Sequence, residues 1–285
     1  MNQVAVNGVP TVVDIDEDPQ THVAVITFSR GRNNFLNHDL VDRLAAAVEH
    51  LSHGDSRAVV LRTTSRHFCG GADFGPTPSG IAPRGNIVDV IPRLYRLPLP
   101  VVAAIGGAAV GGGLGLALTA DFRITTSSAY FLANFTRLGI NQGFGLSLSL
   151  PRLVGYQRAA EMLYTARRVG GEEAVAWGLC DRLVEPSALD DTAYALASEI
   201  ARSAPAAVAA SRGAVRAELV SGIEGTLRAE MALQGSLMAT ADFREGVRAW
   251  SERRTPEFQG RGASGSETDN GAVPIADPEQ GVPNE

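Results

Sequence analysis

Residues Val23–Ser29 read VAVITFS, a short apolar, β-branched run of the kind found in strands buried on both faces. Ala58–Thr63 (AVVLRT) and Val101–Ile105 (VVAAI) carry the same signal. Between the first two runs, Leu40, Val41, Leu44, Val48 and Leu51 fall on one face of a helix predicted over 38–51, with Asn37 placed to cap it. Strands and amphipathic segments alternate in this way over residues 1–190, the rhythm of an α/β core. Beyond Asp190 the strand signal stops, and the pattern predicts helices over 190–202, 205–220, 224–240 and 242–254. The last stretch, 262–285, is rich in Gly, Pro, Ser and acidic residues with almost no large apolar side chain, a composition that predicts a disordered tail. The expected division is a core at 1–190, a helical region at 191–261 and an acidic tail at 262–285.

With 285 residues, 45% of them hydrophobic, the chain has enough apolar surface for a full core. Its most apolar stretch, 97–118, is interrupted by two prolines and six glycines, so no membrane span is expected. The opening MNQVAVNGVPTVVDIDED has neither a basic start nor an apolar segment behind it, which argues against a secretory signal and leaves the cytoplasm as the expected place. Two cysteines, Cys69 and Cys180, make no disulfide framework, and without Cys-x-x-Cys or His-x-x-x-His spacing no metal site is expected. Both are expected as small buried residues.

The net charge is −6, of which the tail holds five acids and no base. Setting those five aside leaves the body at −1, without the basic excess of a nucleic-acid binder. All 25 basic residues are arginine. The absence of lysine removes Schiff-base chemistry, pyridoxal phosphate attachment and the phosphate-loop lysine together. No histidine follows His67 and no serine is framed as Gly-x-Ser-x-Gly, so a hydrolase triad has no support.

Two glycine turns remain as candidate chemistry. Gly111-Gly112-Gly113, followed by Leu114, Leu116, Ala117 and Leu118, places bare N–H groups at the start of a buried helix. There, unpaired donors and the positive end of the helix dipole face whatever oxygen lies in front. Close strand–helix packing explains a lone glycine triplet equally well. A second turn, His67-Phe68-Cys69-Gly70-Gly71-Ala72-Asp73-Phe74, supplies glycine where another backbone must approach. Two such turns can aim two N–H donors at one oxygen, which is an oxyanion hole.

With these residues in view the chain resembles the enoyl-CoA hydratase/isomerase (crotonase) superfamily from about Val23 to Arg261. The resemblance is carried by RAVVLRTTSRHFCGGADF, by LPLPVVAAIGGAAVGGGLGLALTADFRI, and by the later LGINQGFGLSLSLPRLVG, AVAWGLCDRLVE and DFREGVRAWSERRTPEFQGR. It implies an α/β fold: a spiral of ββα units with a C-terminal helical trimerisation region, assembled as a homotrimer or a dimer of trimers. The implied ligand is an acyl-CoA thioester, with CoA belonging to the substrate and no further cofactor. By the resemblance, the oxyanion donors are the N–H groups of Ala72 and Gly112. Gly31 to Leu36 matches the segment flanking CoA, which makes Arg32 and Phe35 candidate substrate contacts; a surface arginine is the plain alternative. Asp73 and Phe74 of the second turn are candidate substrate contacts, with the cap of a following helix as the alternative for Asp73. Phe258 and Arg261 match positions that reach a neighbouring subunit's CoA.

The pattern breaks where the family's hydratases carry two glutamates that hold and deprotonate one water. Counting without gaps puts Gly115 at the first position and Phe135 at the second. No Asp or Glu occurs over 90–120 or over 122–160, so no neighbouring carboxylate can take their place. Phe135 would also dry the pocket, strengthening the hole while removing the site for water. Asn141 and Gln142 are candidates for bonding a substrate group, or are turn structure; Tyr130, His67 and Asp89 are further polar candidates. Two functions stay open: enolate chemistry on an acyl-CoA, such as decarboxylation or isomerisation, and a non-catalytic CoA-thioester-binding or assembly subunit. A nucleotide-dependent oxidoreductase is disfavoured, because no Gly-x-Gly-x-x-Gly opens a helix with an acid about 20 residues on.

Overall fold

In the computed structural model, residues 5–6, 9–72 and 87–260 are described. Asp73, Phe74, Arg261 and the segment 262–285 lie outside the described residues. The chain opens with two short strands, β1 (Ala5–Val6) and β2 (Val9–Pro10), paired antiparallel. The main sheet takes β3 (Val12–Asp18), β4 (Val23–Ser29), β5 (Ala58–Thr63), β6 (Val101–Ile105), β8 (Phe122–Thr125) and β11 (Arg182–Leu183). Its spatial order is β11-β8-β6-β5-β4-β3, parallel throughout except for the β3–β4 hairpin. The three strands and the helix 38–51 expected from the pattern have their predicted ends.

Both faces of this sheet are covered, which is why its central strands read as continuous apolar runs. Ala24, Ile26, Phe28, Val59, Leu61, Ala103 and Ile105 face one core, with α1 (His38–Leu51), α2 (Ile87–Tyr95) and α3 (Gly112–Thr119). The alternate residues Val23, Ala58, Val60, Val102 and Ala104 face the other, where α7 (Leu189–Ala201) contributes Ala193, Leu196, Ala197 and Ala201. Asn37 caps α1 by accepting from the Leu40 N–H at 2.9 Å. Arg93 of α2 ties back to Glu49 of α1 at 2.6 and 2.9 Å.

A second sheet runs beside the first, with β7 (Ala109–Val110), β9 (Tyr130–Leu132) and β10 (Arg168–Gly170) in the order β10-β9-β7. Single bridges Leu36–Ala72 and Cys69–Ala109 extend its ladder. Each turn of the spiral thus gives one strand to the main sheet and a shorter extended piece to the second. The loops after β4, β5 and β6 are stacked on one another by this arrangement.

The remaining helices are α4 (Leu146–Val154), α5 (Tyr156–Thr165), α6 (Gly171–Ala176), α8 (Pro205–Met238) and α9 (Ala241–Glu252). The two helices expected over 205–220 and 224–240 are one, a 34-residue α8 with no break at Ser221 and Gly222. A Cβ on Gly222 would stand 3.1 Å from Leu148 of α4, and Ile223 and Leu227 are buried just beyond it. Burial of those two side chains, at about 1.5–3 kcal/mol each, outweighs the mid-helix cost of about 1 kcal/mol for a glycine.

Glu230 of α8 acts as a cap for another helix. Its carboxylate accepts from the N–H groups of Gly145 and Ser147, both at 2.8 Å, at the start of α4. Burial raises its pKa, and the hydrogen bonds from Ser147 and Gly145 oppose that rise. A carboxyl raised above its ordinary 4.5 contributes most stability below that pH and loses it as pH climbs through the folded value. Unfolding titrations should therefore show wild type losing stability relative to Glu230→Gln from pH 4.5 upward. Glu230→Ala, which strands two donors, should cost about 1–3 kcal/mol across the range.

Candidate active site

The loop after β4 is set by Asn34, a fully buried residue in the left-handed region at φ 49°. Its Oδ1 accepts from the Arg30 N–H at 2.5 Å, and its Nδ2 donates to Thr63 Oγ1 at 2.6 Å and to the carbonyls of His67 and Phe68 at 3.2 Å. One side chain thereby binds the loop after β4 to the loop after β5. Further along, the Gly70 N–H donates to the Asn33 carbonyl at 2.8 Å and the Leu36 N–H to the Gly71 carbonyl at 2.7 Å.

The loop after β5 is bound in turn to the one after β6. The Cys69 N–H donates to the Ala108 carbonyl at 3.0 Å, and the Val110 N–H to the Cys69 carbonyl at 2.9 Å. Glycine is required at this contact: a Cβ on Gly113 would lie 2.3 Å from the Cys69 carbonyl oxygen, and one on Gly71, at φ 94°, 2.9 Å from that of Val110. The first bond within α3 runs from the Gly115 N–H to the Gly111 carbonyl. The N–H groups of Gly112, Gly113 and Leu114 ahead of it have no acceptor within the helix.

A cavity of about 40 Å³ lies where these loops meet. Gly70, Gly71 and Ala72 form one side, Gly111 and Gly112 the other, and Phe35, Asn134, Phe135, Leu138 and Trp250 complete the wall. None of these side chains ionises. The two backbone groups singled out in the sequence, at Ala72 and Gly112, thus border one space, together with Phe35 and Phe135.

Comparison with known proteins gives the same reading over nearly the whole chain: residues 18–261 match the model of the enoyl-CoA hydratase/isomerase family. The chain belongs to that family. It is 40% identical over 248 residues to a probable enoyl-CoA hydratase of Rhodobacter capsulatus, covering 84% of this chain and 95% of the relative. A solved enoyl-CoA hydratase/isomerase of Pseudoalteromonas atlantica shares the fold with a TM-score of 0.80 at 27% identity, covering 87% of this chain and 99% of that one. A structure described as methylmalonyl-CoA decarboxylase superposes with a TM-score of 0.74 at 25% identity, over 87% of this chain and 98% of its own. The α/β fold with its C-terminal helices is the crotonase fold.

Other candidate residues stand apart from the cavity of this crotonase-family site. Asn141 Nδ2 donates to the Gln142 and Glu230 carbonyls, Gln234 Nε2 donates to the Asn141 carbonyl, and Gln142 Nε2 bonds Ser147 Oγ. These amides fasten a loop to α8 and α4. Tyr130 lies under the Arg168 guanidinium, 4.5 Å from its ring centre, and Asp89 sits in the first turn of α2. Arg32 and Phe258 are exposed. His67 has its pKa lowered by burial and then by the charges of Arg66 and Arg32, which keeps the ring neutral at pH 7. Burial pushes the thiols of Cys69 and Cys180 up to about 12, so neither supplies a thiolate. A larger cavity, about 640 Å³, lies by the start of β6 and β8, and two of its arginines, Arg212 and Arg216, both bond Asp121.

No sequence pattern singles out Asn34, Phe144 or Trp250. Phe144 occupies the space beside Gly115: a Cβ there would fall 2.5 Å from Phe144 Cβ and 2.6 Å from its ring. Phe144 is held at φ 62° by its neighbours, since its carbonyl accepts from Tyr95 Oη at 2.9 Å and the next N–H is bound by Glu230. The aromatic periodicity around it contains no signal, and only the meeting of α3, α4 and α8 reveals its place.

Two glycine substitutions separate close approach from simple helix propensity. Gly113→Ala should destabilise the protein by about 1–3 kcal/mol in urea titrations, through forced displacement of the Cys69 carbonyl. Gly225→Ala on α8, where a Cβ meets nothing within 4 Å, should stabilise it by about 0.4–1 kcal/mol.

Proposed function

We propose that this protein binds an acyl-CoA thioester with its carbonyl oxygen between the Ala72 and Gly112 N–H groups, and carries out enolate chemistry that needs no carboxylate-held water. The observation that carries the proposal is the cavity shared by both glycine turns, walled by Phe35, Phe135 and Leu138, with no ionisable side chain among its described lining residues. Negative charge developing on the thioester oxygen would meet fixed donors and the positive end of α3 in apolar surroundings, where such interactions are strongest. Arg32 and Arg66, whose charges both act on His67, supply positive potential for CoA phosphates on the adjoining loops.

Hydration needs a water poised by acid–base groups. Gly115 and Phe135 offer none, and Phe144 fills the space beside Gly115. Decarboxylation of a malonyl-type thioester asks less of the protein: the C–C bond electrons become the enolate as CO2 leaves, and protonation of the carbon follows. The likeness to methylmalonyl-CoA decarboxylase supports this choice, and a relative at 30% identity, the 1,2-epoxyphenylacetyl-CoA isomerase of Escherichia coli, keeps isomerisation beside it. The same lack of ionisable groups favours, as the second reading, a thioester-binding subunit without turnover. With the main reading go a homotrimer or dimer of trimers, a cytoplasmic place, and no cofactor beyond the CoA of the substrate. Among the described residues no helix is long and apolar enough to cross a membrane.

Crotonyl-CoA hydration, followed by ultraviolet absorbance, should be at least about 10³-fold below that of an ordinary hydratase of the family. An ordinary rate would refute the proposal. CO2 release from a panel of malonyl-type thioesters should reveal turnover; tight binding with no turnover of any thioester would select the binding subunit instead. Gly115→Glu with Phe135→Glu should fail to restore hydration while Phe144 remains. The triple variant that adds Phe144→Ala should recover a trace, provided it stays folded by circular dichroism.

A further inference from the structure

We infer that Trp250, on the C-terminal helix of the same subunit, is the movable wall of the thioester cavity and sets how bulky an acyl group it admits. The inference rests on the acyl-CoA reading and adds a specificity-determining residue to it. The cavity as it stands is about 40 Å³. At roughly 10–15 Å³ per water it holds about three, too little for a thioester with any substituent at its α carbon. Some wall must therefore yield when substrate enters.

Most of the walls are fixed. The glycine backbones are locked by the hydrogen bonds between the stacked loops. Phe135 and Leu138 are core residues, 8% and 3% exposed. The Phe35 ring packs on Gly70, where a Cβ would stand 3.0 Å from its Cε1, and its carbonyl is bound by Arg30 Nη1 at 3.0 Å. Trp250 differs, because it is 48% exposed and its indole has open solvent to turn into.

The backbone beneath that indole is nevertheless firmly seated. Gly246, one helical turn earlier on the same face of α9, leaves room for Leu138: a Cβ there would come within 2.5 Å of the Leu138 carbonyl carbon. Gly139, at φ 74°, presses against the backbone of Asp242 and Phe243, where its Cβ would stand at 2.8 Å. Behind the helix, the Asp242 carboxylate accepts from the N–H groups of Gln259 and Gly260 at 2.8 and 3.0 Å. With α9 pinned, rotation of the Trp250 side chain is the way the described walls can make room for substrate. The space so opened is bounded, and bulk beyond it meets the ring. A tryptophan on a fixed helix thus acts as a gauge of acyl size.

The test compares binding of CoA, acetyl-CoA and benzoyl-CoA by calorimetry to wild type, Trp250→Ala and Trp250→Phe. Trp250→Ala should improve benzoyl-CoA binding relative to acetyl-CoA by about tenfold or more, Trp250→Phe by less, and binding of CoA itself should stay within about twofold. The chain has two tryptophans, so in a Trp177→Phe background the emission reports Trp250 alone. That emission should shift with benzoyl-CoA and barely move with CoA. An unchanged benzoyl-to-acetyl ratio in folded variants, or emission equally blind to both ligands, overturns the role of Trp250 while leaving the acyl-CoA reading intact. Wild type that binds none of the three compounds overturns the acyl-CoA reading, and this one with it. Should Trp250→Ala not fold, the Trp250→Phe ratio and the emission shift decide.

Discussion

Backbone against backbone, without side chains between, is the contact on which the site depends. The loops after β5 and β6 meet through Gly71 against Val110 and Gly113 against Cys69, and the hydrogen bonds of Cys69 and Val110 hold them in register. A single Cβ at Gly113 would force the loops apart, and with them the two N–H groups proposed to share one oxygen. The spiral brings this about by stacking each turn on the last, so that its second sheet is built from pieces two or three residues long and from single bridges. Short ladders of this kind stay in place because the main sheet beneath them is buried on both faces.

None of the described lining residues of the cavity is ionisable, and the thiol of Cys69, next to Gly70 in the chain, is held neutral by burial. The His67 ring is held neutral by burial together with the nearby Arg66 and Arg32 charges. What remains at the cavity is oriented backbone, amide and aromatic surface, a setting in which a fixed dipole acts strongly because little water screens it. The same lack of ionisable groups leaves no described wall residue to activate a water. Stabilising an anion and handling a proton are therefore separated in this protein, and only the first is built into the described walls.

Phe144 shows how the framework enforces that separation. A non-glycine residue at φ 62° costs about 1–3 kcal/mol, and it is sustained by Tyr95 at its carbonyl and by Glu230 at the following N–H. Those partners come from α2 and α8, so helices far from the glycine turns decide what lies beside Gly115. Glu230, buried itself, links the long C-terminal helix to the wall of the cavity. The link also makes the continuity of α8 through Gly222 matter to the site, since it carries Glu230 to α4.

The sequence by itself determined the strands β4, β5 and β6, the ends and cap of α1, the two glycine turns, the absence of lysine, and the lack of any carboxylate over 90–120 and 122–160. Each of these is written in residues a few positions apart, where periodicity, a capping side chain or a missing residue type acts locally. Tertiary structure alone decided that α8 runs unbroken, that Asn34 joins two loops, that Phe144 fills the space beside Gly115, and that Trp250 borders the cavity. The acceptors of Asn34 Nδ2 lie 29 to 34 residues away, and Glu230 reaches Gly145 across 85. Contacts at such separations leave no periodic trace, because what places them is the stacking of spiral turns and the burial of whole helices, which no short window of sequence contains.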